Sequence, residues 1–371
     1  MSASRYVAIG DSQTEGLLDP DGRGGFRGWA DRFAVHLADA DPHLQYANLA
    51  IRGRLLGQIH DEQLAPALAM RPDLVTVMGG LNDVLRPGFD LDTVVRHLEA
   101  MLSAVQAAGA VAMTNTFPDI AAIAPVLRRL GPRVEALNAG IRAAAGRHGA
   151  LLVDFAERGV GADLRLWSPD RIHANPLGHR LIAAAFADTL GLPDRGGWDE
   201  SLPWQPPAGW VRTAAAEAQW VGTTLLPWVG RRLRGRSSGD GVAAKRPRLT
   251  PVAPLFHIVR PGEWPSSGDY RPPSLREQGF THLSFADQVP GPANALYGDA
   301  VELAVVELDG ARIGVDIRVE DSYGEGVEYP HAYGPIPVDA AVAVHPLRRD
   351  AGGAWVFSPD PGAAVGASPD R

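Results

Sequence analysis

Residues 5–16 read RYVAIGDSQTEG. The short apolar run Tyr6–Ile9 reads as a strand, and it ends in a polar turn bracketed by Gly10 and Gly16 with Ser12 at its centre. A serine at a strand-to-helix turn is either a helix cap or an exposed nucleophile. The rest of the chain decides between the two.

That opening unit is the first of a series. Further strand-like runs are Tyr46–Leu49, Leu74–Met78, Val111–Asn115 and Leu151–Phe155. Between and after them lie the helix-like stretches Gly28–Ala40, Gly57–Ala69, Leu91–Ala108, Val126–His148 and Pro176–Leu190. In Leu91–Ala108 apolar residues fall at Leu91, Val94, Val95, Leu98, Met101, Leu102 and Val105, which is helical spacing. Strand–helix alternation predicts a parallel sheet with helices on both faces. Such sheets bind ligands at the carboxyl ends of their strands, where GDSQTEG stands.

Bulk properties limit the rest. A length of 371 residues predicts two domains. The apolar content of 45% and charged content of 21% are those of a globular chain. A net charge of -8 argues against a general nucleic-acid binder, and the absence of cysteine excludes disulfides and thiolate metal sites. The segment MSASRYVAIGDS has no basic stretch followed by a long apolar one, and no run of about 18 apolar residues occurs. The expectation is a cytoplasmic protein with no membrane span.

Acyl transfer by serine needs a hydroxyl, an imidazole, a carboxylate that holds the imidazole, and donors for an oxyanion. Ser12 offers the hydroxyl. SPDRIHANPLGH, Ser168–His179, places Asp170 and His173 three residues apart, just before a helix announced by Asn175-Pro176. NLAIRG ends in Gly53, where no Cβ obstructs the backbone N–H. GGLND presents the side-chain amide of Asn82 after the apolar LVTVM. The N–H groups of Ser12 and Gly53 and the Asn82 amide are expected to converge on one oxygen. Asp11, Glu15, Arg52, Asp83 and Arg86 are candidates for shaping the pocket, with Asp11 and Asp83 equally readable as turn or cap residues. His179 reads as a packed or surface histidine. No group of His, Asp and Glu has metal-ligand spacing, and no phosphate-binding glycine motif is present.

GDSxTEG, NLAxxG, GxND and DxxH, in this order, resemble the SGNH (GDSL-type) hydrolase superfamily over roughly Arg5–Leu192. The resemblance implies a flavodoxin-like three-layer α/β/α domain. It also implies a serine esterase using Ser12, His173 and Asp170, with Ser12, Gly53 and Asn82 as the oxyanion hole and with no cofactor. Members cleave carboxylic esters, thioesters, lysophospholipids or sugar acetates, and some transfer acyl groups. The leucine of the eponymous motif is Gln13 here.

The first domain is expected over 1–197 and a connecting region over 198–250. In the latter, Asp199–Gly209 is rich in proline and tryptophan and Trp210–Leu226 is helix-like. Arg231–Arg248 carries seven Arg/Lys against one Asp. It reads as a flexible tether, or as a strip able to touch an anionic surface. Residues 251–349 read as a small α+β domain and 350–371 as a mobile tail. The acidity of the second domain, 14 Asp/Glu against 5 Arg/Lys over 251–345, makes it a poor nucleic-acid binder. Polar residues set into its apolar scaffold are His257, Arg271, Ser274, His282, Ser284, Glu320 and Asp321. The stretches YRPPSL, GFTHLS and EDSYG resemble a small bacterial family of unknown function, DUF952, which is distantly similar to the ADP-ribosyltransferase group. By that analogy His257, Arg271, His282 and Ser284 would line an NAD pocket. The other reading is a noncatalytic binding module.

Overall fold

The computed structural model describes residues 3–22, 24–158, 160–193, 197–205, 219–225, 227 and 238–359. The chain folds as two compact units, Met1–Asp41 with Tyr46–Leu249 and Pro42–Gln45 with Thr250–Arg371.

The first unit is built on a six-stranded sheet of β1 (Arg5–Gly10), β2 (Gln45–Asn48), β3 (Leu74–Met78), β4 (Val111–Asn115), β5 (Leu151–Val153) and β6 (Arg246–Pro251). Their order is β5-β4-β3-β1-β2-β6, and β1, β3, β4 and β5 run parallel. The chain steps from β1 to β2 in one direction and then reverses through β3, β4 and β5. Right-handed crossovers therefore place the Gly28–Ala38 helix on one face and the helices at 56–69, Leu91–Ala107 and Gly131–Arg147 on the other. The last helix, Pro176–Thr189, returns to pack on Gly28–Ala38. Trp29 stacks on Phe186 at 4.3 Å there, and Phe33 meets the edge of Tyr6 at 5.2 Å. Each such fully buried side chain contributes about 1.5–3 kcal/mol of transfer free energy. The reversal between β1 and β3 is the switch point at which this topology opens a crevice.

Three elements differ from the periodicity reading, each at a proline, a glycine or an unread contact. The 57–69 stretch is interrupted by a widened π turn at His60–Leu64, because Pro66 cannot supply an N–H to the helical ladder. The 126–148 stretch splits into a 3₁₀ turn, Pro125–Leu130, and a helix beginning at Gly131-Pro132, where proline belongs in the first turn. The end of the tether is not free chain. Lys245 pairs with Asp31 at 2.9 Å and donates to the carbonyls of Phe26 and Arg27, and Arg246 begins β6. The rest of the basic run up to residue 237, and residues 210–218 of the expected helix, lie outside the described residues.

The second unit is α+β and strand-rich. Strands β7 (Leu255–Val259), β10 (Ala304–Leu308) and β14 (Ala341–Pro346) form one antiparallel sheet. β9 (Thr281–His282), β11 (Ile317–Glu320) and β12 (Tyr329–Ala332) form another. Two-stranded ladders join β8 (Asp269–Tyr270) to β13 (Ile336–Pro337), and β15 (Arg348–Arg349) to β16 (Trp355–Val356). Leu255, Val259, Val306 and Leu308 belong to one apolar cluster, and Phe256, Ile258 and Val305 to another. The central sheet is thus covered on both faces, which is why LFHIV is apolar almost throughout. The expected tail begins too early. Trp355 is buried in the second cluster beneath the Arg349 guanidinium, 4.0 Å from its ring, so the ordered chain extends past residue 350. Residues 360–371 lie outside the described residues.

The motif glycines are set by close approach. Gly16 has φ +93°, and a Cβ there would stand 2.5 Å from the Gly28 Cα. Gly22 also has positive φ, +78°, but faces open space. Gly16→Ala is expected to destabilise by about 2 kcal/mol or more, and Gly22→Ala by only the left-handed backbone term of about 1–2 kcal/mol. Denaturant unfolding checks this. Equal losses at the two sites would remove the packing argument.

Candidate active site

The turn after β1 becomes a single helical turn, Ser12–Glu15, whose cap is Asp11: its Oδ1 accepts from Gln13 N at 3.1 Å. Ser12 thus heads the turn and is not its cap. The neighbours of Ser12 reach out to the ends of β2 and β3 and to the loop that carries His173. Asp11 Oδ2 accepts from Asn82 Nδ2 at 3.0 Å. Thr14 O accepts from Asn48 Nδ2 at 2.8 Å. Glu15 accepts from Arg52 N at 2.8 Å and forms a fork–fork ion pair with the Arg52 guanidinium, which holds the chain beside Gly53. Gln13 donates from Nε2 to Ile172 O at 2.7 Å and accepts from Ala174 N at 3.3 Å.

The Asp170–His173 loop is braced from within. Asp170 Oδ1 accepts from the N–H groups of Ile172 and His173 at 3.0 Å each, and Ser168 N donates to His173 O at 2.9 Å. Arg171 takes a left-handed φ of +51° to make the turn. Trp220 Nε1 donates to Asp170 O at 2.6 Å. Within this loop His173 Nδ1 lies 2.6 Å from Asp170 Oδ2, and His173 Nε2 lies 2.9 Å from Ser12 Oγ. The carboxylate can only accept, so Nδ1 carries the proton and Nε2 is the acceptor for the serine O–H. Burial raises the Asp170 pKa, but the His173 and backbone N–H bonds outweigh it and hold the carboxyl below its ordinary value. It stays charged beside the imidazole.

Ser12 opens onto a cleft with about 720 Å³ of empty space. Its walls are largely apolar: Leu81, Val84, Phe117, Pro118, Ile123, Leu127, Trp167 and Ile172 line it, with Asp11, Gln13, Asn82 and Arg171 as the charged or amide groups. A second apolar hollow of about 560 Å³ shares the walls Gln13, Leu81, Phe117, Pro118 and Trp167. The cleft walls were not legible as a site, because Phe117, Pro118 and Trp167 lie in loops outside every motif.

The expected residues fare differently. Ser12, His173 and Asp170 come together. Gly53 sits at φ +76° beside the Ser12 turn, and its N–H and that of Ser12 make no hydrogen bond among the described residues. Asn82 is drawn to the same place but its amide is engaged, with Asp11 at 3.0 Å and with Arg54 O at 3.2 Å. His179 is fully buried: Nδ1 accepts from Trp29 N, Nε2–H faces Leu17 O at 3.2 Å, and burial drives its pKa down to about 4. Arg52 and Glu15 are consumed by their ion pair and Asp83 by Leu56 N.

In the second unit the four residues expected to line an NAD pocket each have partners within the fold. His257 spends Nδ1 on His282 O at 2.7 Å and Nε2 on Tyr270 OH at 3.0 Å, and burial takes its pKa down to about 4, so it has no ring nitrogen left for a ligand. Ser284 is buried in a bridge to Phe256. Arg271 is exposed and its recorded partner is Asp269. His282 bonds Gln278 Oε1 at 2.9 Å.

Two acids near Ser12 are driven the opposite way from Asp170. Burial raises Asp11 and Asp83 each to about 6 from 3.8. A carboxyl that binds its proton more tightly when folded costs stability as pH rises from its unfolded to its folded pKa. Asp83→Asn keeps an acceptor for Leu56 N but cannot ionise. The buried His179 and His257 push stability the other way over the same range, so the readout is the difference: wild type is expected to lose stability relative to Asp83→Asn between pH of about 4 and about 6. Urea unfolding across this range checks it, and parallel curves would refute it.

Residues 8–181 match the GDSL-like Lipase/Acylhydrolase family, and residues 258–344 match a family described as Protein of unknown function (DUF952). Similar solved structures include LAE5, an alpha/beta hydrolase enzyme from the metagenome of Lake Arreo, Spain, at 25% identity over 51% of this chain and 95% of that one, TM-score 0.43. TesA is 25% identical over 50% of this chain and 98% of its own, TM-score 0.43. Axe2, an acetylxylan esterase from Geobacillus stearothermophilus, is 20% identical over 51% and 94%, TM-score 0.43. No curated protein matches. The chain thus joins a segment that matches the GDSL-like lipase/acylhydrolase family, residues 8–181, to one that matches DUF952, residues 258–344.

Proposed function

We propose that the N-terminal domain hydrolyses carboxylic esters or thioesters through an acyl-enzyme on Ser12. The observation that carries this reading is the hydrogen-bonded series Ser12 Oγ–His173–Asp170 at the mouth of an apolar cleft. Ser12 Oγ attacks the acyl carbon while its proton passes to His173 Nε2. Asp170 keeps the imidazole in the tautomer that can take that proton, and its charge steadies the imidazolium. The negative charge that develops on the carbonyl oxygen is met by the N–H groups of Ser12 and Gly53. Asn82 joins them by exchanging its longer bond, to Arg54 O, for the oxyanion. His173 then protonates the departing alkoxide or thiolate. Water attacks the acyl-enzyme with His173 as its base, and the carboxylic acid leaves.

The cleft favours an apolar acyl group over acetate. Each methylene moved from water to such walls is worth about 0.8 kcal/mol, or about fourfold in kcat/KM. The first test is hydrolysis of p-nitrophenyl acetate, butyrate and hexanoate. Activity is expected to rise along the series and to vanish in Ser12→Ala and His173→Ala. A fluorophosphonate is expected to label wild type and not Ser12→Ala. Asn82→Ala is expected to lose about 10²–10³ in kcat. Equal turnover by wild type and Ser12→Ala would overturn the reading, and a preference for acetate would overturn its acyl-chain part.

A further inference from the structure

The proposed base sits on a loop distant in sequence from the serine it serves, separated from it by 161 positions. Internal bonds give that loop its shape, but shape alone does not fix its distance from Ser12. Between the nucleophile turn and residues 170–174, three hydrogen bonds are present among the described residues. One is the Ser12–His173 bond itself, which must break and re-form in every turnover. The other two come from the Gln13 side chain, to Ile172 O and from Ala174 N, the residues immediately before and after His173. Gln13 is 8% exposed, so water does not compete freely for these bonds.

We propose that Gln13 is a positioning residue that clamps the His173 loop to the nucleophile turn and so sets the Ser12–His173 distance, an inference that rests on the acyl-enzyme reading above. The amide suits the task because one group supplies both a donor and an acceptor. Leucine, which stands here in the motif that names the family, supplies neither. Ile172 O and Ala174 N flank His173 on the backbone, so a two-point hold on them restrains both translation and tilt of the imidazole. In proximity catalysis a misplacement of about 1 Å can cost about 10²-fold. Gln13 also lines the cleft, so substrate binding is read separately, as KM.

The test uses the full chain with Ser12→Ala as control. Gln13→Leu is expected to lower kcat by about 10- to 100-fold and to slow fluorophosphonate labelling by a similar factor, with KM changed by no more than about twofold. Gln13→Glu adds a readout that packing alone would not move. Its carboxylate cannot donate to Ile172 O, but its protonated form both donates and accepts. Burial raises the pKa of such a carboxyl. The ratio of Gln13→Glu to wild-type kcat is therefore expected to climb as pH falls from about 8 to about 5.5. If Ser12→Ala is inactive while Gln13→Leu keeps wild-type kcat, the clamp is wrong and the nucleophile stands. If kcat and unfolding temperature fall together in Gln13→Leu and the Gln13→Glu ratio is flat with pH, Gln13 is structural filling and the inference is overturned. Activity retained by Ser12→Ala would instead remove the reading on which it rests.

Discussion

One helical turn, four residues long, has to present Ser12 and at the same time hold the ends of the neighbouring strands. Asp11, Gln13, Thr14 and Glu15 divide that work: toward Asn82, toward the His173 loop, toward Asn48 and toward Arg52. A turn this short carries no packing face of its own, so its position is set by those bonds and by the glycines at its two ends. A Cβ on Gly10 would stand 2.5 Å from Met78 O, and one on Gly16 the same distance from Gly28. The motif residues around the serine are therefore mostly joints, and the serine is what they position.

The same crowding sorts the acids. Asp170 is buried too, but it receives the imidazole and two backbone N–H groups, and it keeps its charge. Asp11 and Asp83 are buried with fewer compensating donors, and their pKa values climb. Neighbouring groups of one chemical type thus hold their protons with different strength, set by burial and by the donors each has been given. The apolar cleft sharpens this contrast, since a low-dielectric wall strengthens every remaining interaction.

The second unit follows another logic. Its central sheet is covered on both faces, and the polar atoms placed inside it are used to close the fold. His257 is the clearest case, with one ring nitrogen tied to the backbone of β9 and the other to Tyr270. A histidine in a strand reads identically in sequence whether it faces a ligand or a tyrosine, and only the packing tells them apart.

Much of the first unit was open to reading from the chain alone. Alternating strands and helices, the order of the GDS, NLA, GxND and DxxH blocks, and their places after successive strands all follow from local periodicity and turn chemistry, which neighbouring residues decide among themselves. Ser12, Asp170 and His173 belong to that class, because the carboxylate and imidazole share one turn. Contacts across long sequence separation were not open to it. That Gln13 reaches Ile172 and Ala174, that Lys245 buries itself against Asp31, that Trp355 fills a core position, and that Phe117 and Trp167 wall the cleft depend on which loops the sheet order brings together. Those choices are made by topology and burial, where many residues compete for one partner and no local signal records the winner.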